Sequence, residues 1–227
     1  MKRALDIVLG MLLVLITLPT MIVLAIGVAL MLRAWPLFIQ HRVGRDGRVF
    51  RFPKLRTLPP DTPAYASKYE ISELSLPWFA RLLRRTHLDE LPQLFLVPTG
   101  RMSLVGPRPE MPTLHATFDS EFARLRTSVR PGCTGLWQIG RGINGLIRES
   151  PEYDAFYIRR WSLRMDLWIL WRTVATVLGW VRPIEPWDVP VGLWGSGLGV
   201  AVSPALTVAT EPDDQVLEPV VAGATAA

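Results

Sequence analysis

The amino-acid sequence predicts an α-rich α+β protein that is anchored in a membrane by a re-entrant helix hairpin near its N-terminus. Residues 7–32 carry no charged side chain, a short alternating stretch follows, and helical spacing of apolar residues returns further along the chain. We therefore expect three regions. They are a re-entrant membrane helix at 1–34, a small cytoplasmic domain with interfacial amphipathic helices at 35–183, and a disordered tail at 184–227.

The uncharged N-terminal segment is interrupted near its middle by Pro19. A straight helix over this segment would reach about 39 Å, more than the roughly 30 Å of a hydrocarbon core, whereas each half reaches only about 19 Å. Lys2 and Arg3 precede the segment, and a series of basic residues that begins with Arg33 follows it. Because basic residues favour the cytoplasmic face, we expect both ends on that side and a helix break at Pro19. A proline-kinked spanning helix is the alternative; a cleaved signal peptide is disfavoured, since the segment is too long and lacks a small-residue cleavage site.

The charge distribution indicates a polyanionic partner. All 25 basic residues lie before residue 183, whereas six of the 20 acidic residues lie after it. Nucleic acid, nucleotide phosphates and an anionic membrane surface all fit such a basic body. The single cysteine, Cys133, excludes an internal disulfide and fits a reducing compartment. The three histidines lack the spacing of metal ligands, so any metal is expected to have oxygen ligands.

Short strands, loops and helices are expected in the middle of the chain. The alternation at Val49–Lys54 predicts strand or turn structure, and the four prolines within 58–77 predict a surface loop. Helical spacing of apolar residues predicts helices at 78–85, 89–97 and 112–128.

Residues 153–180 form an apolar stretch that is rich in tryptophan and interrupted by charged residues such as Arg164 and Asp166. A second spanning helix would have to bury these charges in the bilayer. The stretch therefore predicts an amphipathic helix at the membrane interface, with an ordinary core helix as the alternative.

Two adjacent acids, Asp89 and Glu90, occur in the segment RTHLDELPQL, just after the arginine-rich segment RLLRR. Helix capping would explain them, since Asp89 is a good N-cap, Glu90 suits a first turn and Pro92 is tolerated there. A helix N-terminus is also a place where phosphate binds. The local sequence leaves both capping and chemistry open.

Three turns present basic side chains on backbone that proline or glycine restricts. The motif VGPRPE places Arg108 between two prolines, VRPGCTG places Arg130 before a Pro-Gly turn, and FRFPKLRT adds Lys54 and Arg56. A guanidinium group matches the oxygens of a phosphate. Together with the acidic pair, these cations are suited to phosphoryl transfer, in which carboxylates bind Mg²⁺ or attack phosphorus.

Several motifs follow one another along residues 1–180: KRALD, PLFIQHRVGRDGRVF, KLRT, LRRTHLDELPQL, MSLVGPRPE, VRPGCTGLWQI and YDAFYIRRWSLRMDLWIL. Because these motifs occur in this order, the chain resembles the bacterial sugar transferases, also called monotopic phosphoglycosyl transferases. The resemblance implies a phosphoglycosyl transferase domain at 35–183, on the cytoplasmic face of the cytoplasmic membrane. Such an enzyme transfers a sugar-1-phosphate from a UDP-sugar to undecaprenyl phosphate, a polyprenyl phosphate, and releases UMP, which begins exopolysaccharide or glycoconjugate synthesis.

The same resemblance implies roles for individual residues. Asp89 corresponds to a nucleophile that forms a covalent phosphosugar intermediate, and Glu90 to its catalytic partner, with Mg²⁺ as the cofactor that both would bind. The positions implied to bind substrate phosphate are Lys54, Arg56, Arg85, Arg108 and Arg130. Leu18 replaces a serine that is common before the proline of the hairpin, and Arg101 replaces a common acid, which affects substrate detail more than reaction class.

Two other functions stay open. A membrane-anchored nucleic-acid binder would also have a pI near 9.9, but the chain has no evident basic helix or aromatic platform, so nucleic acid is not an expected partner. A non-catalytic membrane scaffold of the same fold is the second alternative, which the intact LDELPQL and GPRP motifs disfavour. The expected partners are a UDP-sugar, polyprenyl phosphate and the lipid bilayer; the sequence specifies neither the sugar nor an oligomeric state.

Overall fold

The structure is a computed structural model that describes residues 1–63 and 76–200, apart from the side chains of residues 143 and 144. Its α-helices are α1 (Lys2–Leu32), α2 (Trp78–Thr86), α3 (Pro112–His115), α4 (Ser120–Thr127), α5 (Glu152–Arg160) and α6 (Leu163–Val177). Its strands are β1 (Leu37–Val43), β2 (Val49–Leu55), β3 (Ser103–Val105) and β4 (Gly132–Thr134). Short 3₁₀ segments lie at Arg45–Gly47, Leu88–Leu96, Arg141–Asn144, Ile147–Glu149, Pro186–Asp188 and Val191–Leu193. The predicted mixture of helix and sheet is confirmed, while most of the loop predicted at 58–77 lies outside the described residues.

The strands β1 and β2 form an antiparallel hairpin in which His41 lies opposite Arg51. The alternation at Val49–Lys54 predicted strand or turn structure, and β2 confirms the strand. Its turn is tight because Asp46 and Gly47 adopt positive φ angles of 57° and 71°, which aspartate tolerates and glycine adopts freely. Successive side chains point to opposite faces of the hairpin, so the two faces carry different residues.

The strands β3 and β4 form a parallel pair, and the backbone that follows β3 lies directly against β4. A Cβ atom on Gly132 would lie 2.1 Å from the backbone nitrogen of Gly106, and one on Gly135 would lie 2.2 Å from the Gly106 carbonyl oxygen. No side chain fits at either position, so the glycines of the VRPGCTG motif allow the VGPRPE loop to pack closely.

Helix α1 is apolar and long enough to cross a membrane. The break that the sequence predicts at Pro19 is not found, because helical structure continues from Lys2 to Leu32 through the proline. A proline removes one N–H from the helix, and long helices commonly accommodate that loss by local bending rather than by ending.

Both ends of α1 contact the rest of the protein. Near its N-terminus, the Lys2 Nζ lies 2.5 Å from Asp166 Oδ2. Near its C-terminus, Val28 is fully buried in a small cluster with Leu55 and Leu83. Between these contacts many apolar side chains are exposed: Met11, Leu12, Leu15, Ile16, Leu18, Ile22 and Val23.

The main hydrophobic core lies among β2, β3, α4, α5 and α6. Large side chains that are almost completely buried there include Phe52, Met102, Leu136, Tyr157, Met165 and Ile169. Leu96 and Val105 belong to the same core. Leu96 anchors the segment before β3 to this core, and Val105 anchors the segment after it. Those segments carry the acidic pair and the VGPRPE loop.

The stretch 153–180 forms two helices rather than one. The chain turns at Trp161, and the Ser162 hydroxyl accepts a hydrogen bond of 3.0 Å from Met165 N, which caps α6. Most of α5 is buried, so the prediction of an interfacial helix is wrong for this part and its core-helix alternative applies. Helix α6 instead exposes apolar side chains such as Leu167 and Trp171, as an interfacial helix would.

Two further helix predictions differ from the structure in detail. The region predicted as one helix at 112–128 contains α3 and α4, because the Asp119 carboxylate accepts a hydrogen bond of 2.8 Å from Glu121 N and starts a new helix. The helix predicted at 89–97 is a 3₁₀ segment. Helix α2 confirms the prediction at 78–85.

Residues 184–200 pack on the domain, so the disordered tail predicted from residue 184 is corrected over this stretch. The Trp194 ring contacts Phe156, with ring centroids 5.5 Å apart, and Gly195 N donates a hydrogen bond of 2.8 Å to Arg160 O. Isolated aromatic and backbone contacts of this kind leave no periodic pattern in a sequence. The remainder of the predicted tail lies outside the described residues.

Candidate active site

A cleft of about 470 Å³ lies beside the acidic pair. Its walls come from the β1–β2 hairpin, the end of α2, the loop after β3 and the segment around residues 145–147. The charged side chains that line it are Arg42, Lys54, Arg56, Arg84, Asp89, Arg108 and Glu110. A cleft of this size in which polar groups converge among apolar side chains is the usual form of a small-molecule site.

Asp89 reaches this cleft through an abrupt change of chain direction. Helix α2 ends at Thr86, and His87 then adopts a left-handed conformation with a φ angle of 55°. The following 3₁₀ segment places the carboxylate of Asp89 at the cleft wall, where the residue is only 8% exposed. Burial, together with the negative charge of Glu90, raises the pKa of Asp89.

Glu90 lies in a cluster of ion pairs. Its Oε1 accepts a hydrogen bond of 2.6 Å from Lys54 Nζ and one of 2.8 Å from Arg108 Nη2, while its Oε2 lies 3.3 Å from Arg108 Nη1. Burial alone would raise the pKa of Glu90, but the two cations hold that pKa well below its usual range. Glu90 is therefore ionised, and its carboxylate oxygens are paired with protein cations.

The two cations that hold Glu90 respond differently to their surroundings. Burial lowers the pKa of Lys54, against the opposing effect of Glu90. The charge of Glu90 raises the pKa of Arg108, against the opposing effect of burial. Arg108 stays charged under all ordinary conditions, so one cation of this cluster is permanent.

Arg126 supports the loop that carries Arg108. It is buried on α4, donates from Nη2 to the backbone carbonyl of Arg108, and donates from Nε to Asp154 Oδ2 at 2.7 Å. Its guanidinium also lies over the rings of Phe118 and Phe122. The direction in which Arg108 points therefore depends on a buried ion pair that connects α4 to α5.

The structure brings only some of the predicted phosphate-binding residues together. Lys54, Arg56 and Arg108 line the cleft, and Arg56 is oriented by a hydrogen bond of 3.1 Å from its Nε to Trp35 O. Arg85 is exposed and is not part of the cleft wall. Arg130 lines a different cavity.

Sequence reasoning missed four residues of this region. Arg84 lines the cleft on the face of α2 that Arg85 does not occupy, and the indole of Trp137 forms part of the wall. Arg42 pairs with Glu110 at 3.2 Å, and both side chains are almost completely buried. The RLLRR segment could have indicated Arg84, since neighbouring helical side chains point about 100° apart.

The acidic residues could hold Mg²⁺ together with a phosphorylated ligand. Within the described ranges 1–63 and 76–200, no group of three or more potential metal ligands converges. Magnesium ions in phosphoryl-transfer sites commonly take one or two carboxylates and complete their coordination with phosphate oxygens and water. The Asp89 carboxylate fits this pattern, whereas both carboxylate oxygens of Glu90 are already paired with Lys54 and Arg108.

The fold combines a long apolar N-terminal helix with a small mixed domain, and its cleft places a buried carboxylate among cationic side chains. The chain belongs to the bacterial sugar transferase family, whose model matches residues 1–180. It is 32% identical over 183 residues to a UDP-N-acetylgalactosamine-undecaprenyl-phosphate N-acetylgalactosaminephosphotransferase of Aeromonas hydrophila. It is 35% identical over 201 residues to a UDP-galactose-lipid carrier transferase of Erwinia amylovora, and 38% identical over 192 residues to a UDP-glucose:undecaprenyl-phosphate glucose-1-phosphate transferase of Caulobacter vibrioides.

These matches cover unequal shares of the proteins compared. Each covers 78% of this chain. The matched region is 43% of the Aeromonas protein, 40% of the Erwinia protein and 69% of the Caulobacter protein. This chain thus spans less than half the length of the first two relatives.

Replacing Arg126 with Met should lower the thermal unfolding midpoint by at least about 6 °C, because an unpaired buried carboxylate costs about 3 kcal/mol or more. The carboxylate left without its partner is that of Asp154. The midpoint would be measured by circular dichroism on the detergent-solubilised protein.

The matched control is Arg124→Met, an exposed position on the same helix, which should leave the midpoint nearly unchanged. The double variant Arg126→Met/Asp154→Leu should recover part of the loss, because it leaves no unpaired charge. An unchanged midpoint in Arg126→Met would contradict the supporting role given to this ion pair.

Proposed function

We propose that this protein transfers a sugar-1-phosphate from a UDP-sugar to undecaprenyl phosphate, releases UMP, and uses Asp89 as the nucleophile. The observation that carries this proposal is the unequal state of two adjacent carboxylates. Glu90 is held by Lys54 and Arg108. Asp89 lies at the cleft wall, and no side-chain hydrogen bond to its carboxylate occurs within the described part of the chain.

The names of the relatives support the substrate classes. Each of the three names a UDP-sugar as donor and either undecaprenyl phosphate or a lipid carrier as acceptor. The sugars differ among them, being N-acetylgalactosamine, galactose and glucose. The shared chemistry is therefore the nucleotide diphosphate bond and the lipid phosphate, and the proposal leaves the hexose unspecified.

The cations of the cleft are suited to a diphosphate. A carboxylate is repelled by the negative charge of its target unless nearby cations neutralise that charge. Lys54, Arg84 and Arg108 surround Asp89 at this wall, with Arg56 further along the cleft. Electrostatic stabilisation of this kind is a large part of catalysis in phosphoryl transfer.

In the first step, a carboxylate oxygen of Asp89 attacks the phosphorus that bears the sugar. A bond forms between that oxygen and phosphorus, and the bond from phosphorus to the bridging oxygen breaks. The bridging oxygen leaves with its electron pair as part of UMP. Asp89 must be ionised for this attack. Because burial raises its pKa, cations must lie close by to stabilise the ionised carboxylate.

In the second step, an oxygen of undecaprenyl phosphate attacks the same phosphorus. The acyl phosphate bond breaks, and Asp89 leaves as a free carboxylate. The product is an undecaprenyl diphosphate sugar, and the two displacements return the enzyme to its starting state. Glu90 keeps Arg108 and Lys54 in position throughout, which supports a positioning role for this residue.

Magnesium is the proposed cofactor, with Asp89 as its accessible protein ligand; Glu90 would become a second ligand only by exchanging Lys54 or Arg108 for the metal. When bound, it would neutralise phosphate charge beside the attacking carboxylate. The donor set supports this proposal, since the Asp89 carboxylate and the oxygens of a bound diphosphate suit a hard cation.

The arrangement of α1 supports a re-entrant membrane anchor on the cytoplasmic face. Asp6, near the start of the helix, accepts hydrogen bonds from Ser103 Oγ and Leu104 N at 2.8 and 3.0 Å. Gly27, near its end, lies against the ring of Phe79. Contacts at both ends with one domain favour a helix that enters and leaves the bilayer on the same side, with its bend at Pro19 inside a continuous helix rather than at a break. Basic flanks favour the cytoplasmic side.

Asp89→Asn should abolish UMP release, because an amide of nearly the same shape cannot form the acyl phosphate. In the wild-type protein, UDP-sugar without lipid acceptor should give a burst of UMP no larger than the amount of enzyme. Rapid-quench measurement with radiolabelled UDP-sugar would record both the burst and the labelled protein.

Asp119→Asn is the matched control, since it makes the same change at an exposed helix cap where asparagine serves equally well. It should keep the full burst. UMP that forms only when polyprenyl phosphate is present, with no labelled protein, would replace the covalent route by direct transfer.

Arg84→Gln should reduce kcat/KM by roughly 10- to 100-fold, the effect of losing a hydrogen bond to a charged phosphate. Arg85→Gln removes the same charge from the next residue of α2, which is exposed outside the cleft, and should have little effect. Steady-state UMP release by both variants would compare them directly. Equal losses would mean that general positive charge, and not the position of Arg84, governs binding.

A cysteine inserted after Met1 and one replacing Asp61 should both be protected from a membrane-impermeant maleimide in intact cells, in a Cys133→Ala background. Both positions are exposed in the folded protein, so permeabilised cells should label both. Labelling of the N-terminal cysteine from outside would instead indicate a spanning helix.

A further inference from the structure

A second cavity, of about 710 Å³, lies on the other face of the β1–β2 hairpin. Side chains alternate along each strand, so His41 and Arg51 line this cavity whereas Gln40 and Lys54 line the cleft beside Asp89. No residue lines both cavities. The second cavity is therefore separate from the proposed active site.

The lining of this second cavity is strongly cationic. Its basic side chains are His41, Arg45, Arg48, Arg51, Arg101 and Arg130. The one acid among its lining residues, Asp46, is exposed and lies 3.7 Å from Arg45. Within residues 1–63 and 76–200, no acidic side chain forms an ion pair with Arg48, Arg51 or Arg101.

Arg130 lies in the second cavity, where positive charge is in excess. Its Nε donates a hydrogen bond of 3.0 Å to Gly100 O, which fixes the side chain against the cavity wall. Burial lowers the pKa of Arg130, and the neighbouring charges of Arg3 and Arg45 lower it further. An anion in the cavity would offset this repulsion. The arginine of the VRPGCTG motif therefore lies in this second cavity and not in the Asp89 cleft.

The cavity adjoins the charged end of the membrane helix. A Cβ atom on Gly100, which lines the cavity, would lie 3.2 Å from Arg3 Nη2. The Arg3 Nη1 donates a hydrogen bond of 2.8 Å to Val97 O, and Val97 lies against Gly10 of α1. Nearby, Phe95 is 44% exposed. This part of the protein therefore combines cations with the start of an apolar surface, as expected at the level of lipid headgroups.

We infer that the second cavity binds the phosphate of an anionic phospholipid headgroup and thereby fixes the domain on the membrane surface. Clusters of basic residues next to a membrane helix attract anionic lipids. Guanidinium groups also match phosphate oxygens geometrically. A headgroup is favoured over a free phosphate because Gly100 of the cavity wall lies beside Arg3 at the start of α1, where acyl chains would meet the exposed apolar side chains of the helix. The inference does not depend on the transferase activity.

The test uses the full chain in dodecyl maltoside micelles that contain either phosphatidylglycerol or phosphatidylcholine. Native mass spectrometry would measure how much of each lipid stays bound. The cavity variant is Arg48→Gln/Arg51→Gln/Arg101→Gln, whose positions are exposed. The matched control is Arg124→Gln/Arg141→Gln/Arg148→Gln, which removes the same charge at exposed positions outside the cavity. Near-ultraviolet circular dichroism would verify that both variants are folded.

The wild-type protein should retain phosphatidylglycerol in preference to phosphatidylcholine. The cavity variant should bind phosphatidylglycerol on the order of 100-fold more weakly, which corresponds to about fivefold for each arginine. The control variant should bind it like the wild type. Equal weakening in both variants, or equal retention of the two lipids, would overturn the inference. Displacement of the lipid by millimolar inorganic phosphate would assign the cavity to a soluble anion instead.

Discussion

The ion cluster of Glu90, Lys54 and Arg108 is the constraint on which the rest of the site depends. It joins three segments that are far apart in the chain: the 3₁₀ segment after α2, the strand β2 and the VGPRPE loop. Each charge in it is largely buried, and a buried charge is tolerated only where an opposite charge and hydrogen bonds compensate it. Because Glu90 takes up the two protein cations, the adjacent Asp89 faces the cleft without such a pairing.

Two further buried ion pairs hold the backbone that carries Arg108 of that cluster. Arg126 and Asp154 connect α4 to α5 beneath the backbone of Arg108, and a second buried pair joins β1 to Glu110 at the end of the same loop. Such pairs contribute little net stability compared with well-packed apolar residues, yet losing one partner is costly. Their value here is geometric, since they fix the direction of a loop that has no regular secondary structure.

The β1–β2 hairpin divides the basic residues of the domain into two groups. Lys54 lies on one face, beside the acidic pair, and Arg51 lies on the other face, at a cavity beside the start of α1. This division follows from the alternation of side chains along a strand. The proposed transfer uses a water-soluble nucleotide and a lipid substrate, which requires a defined orientation to the membrane, and separate cationic surfaces can meet both requirements.

The sequence by itself determined the apolar character of α1, the strand or turn structure at Val49–Lys54, and the presence of an acidic pair and of basic turns, because these depend on local composition and spacing. Only the tertiary structure decided that Arg84 rather than Arg85 lines the cleft and that Arg130 lies elsewhere. It also decided that α5 is a core helix and that residues 184–200 pack on the domain. The physical reason is that a side chain's neighbours come from segments distant in the chain, and local patterns carry no information about which of those segments meet.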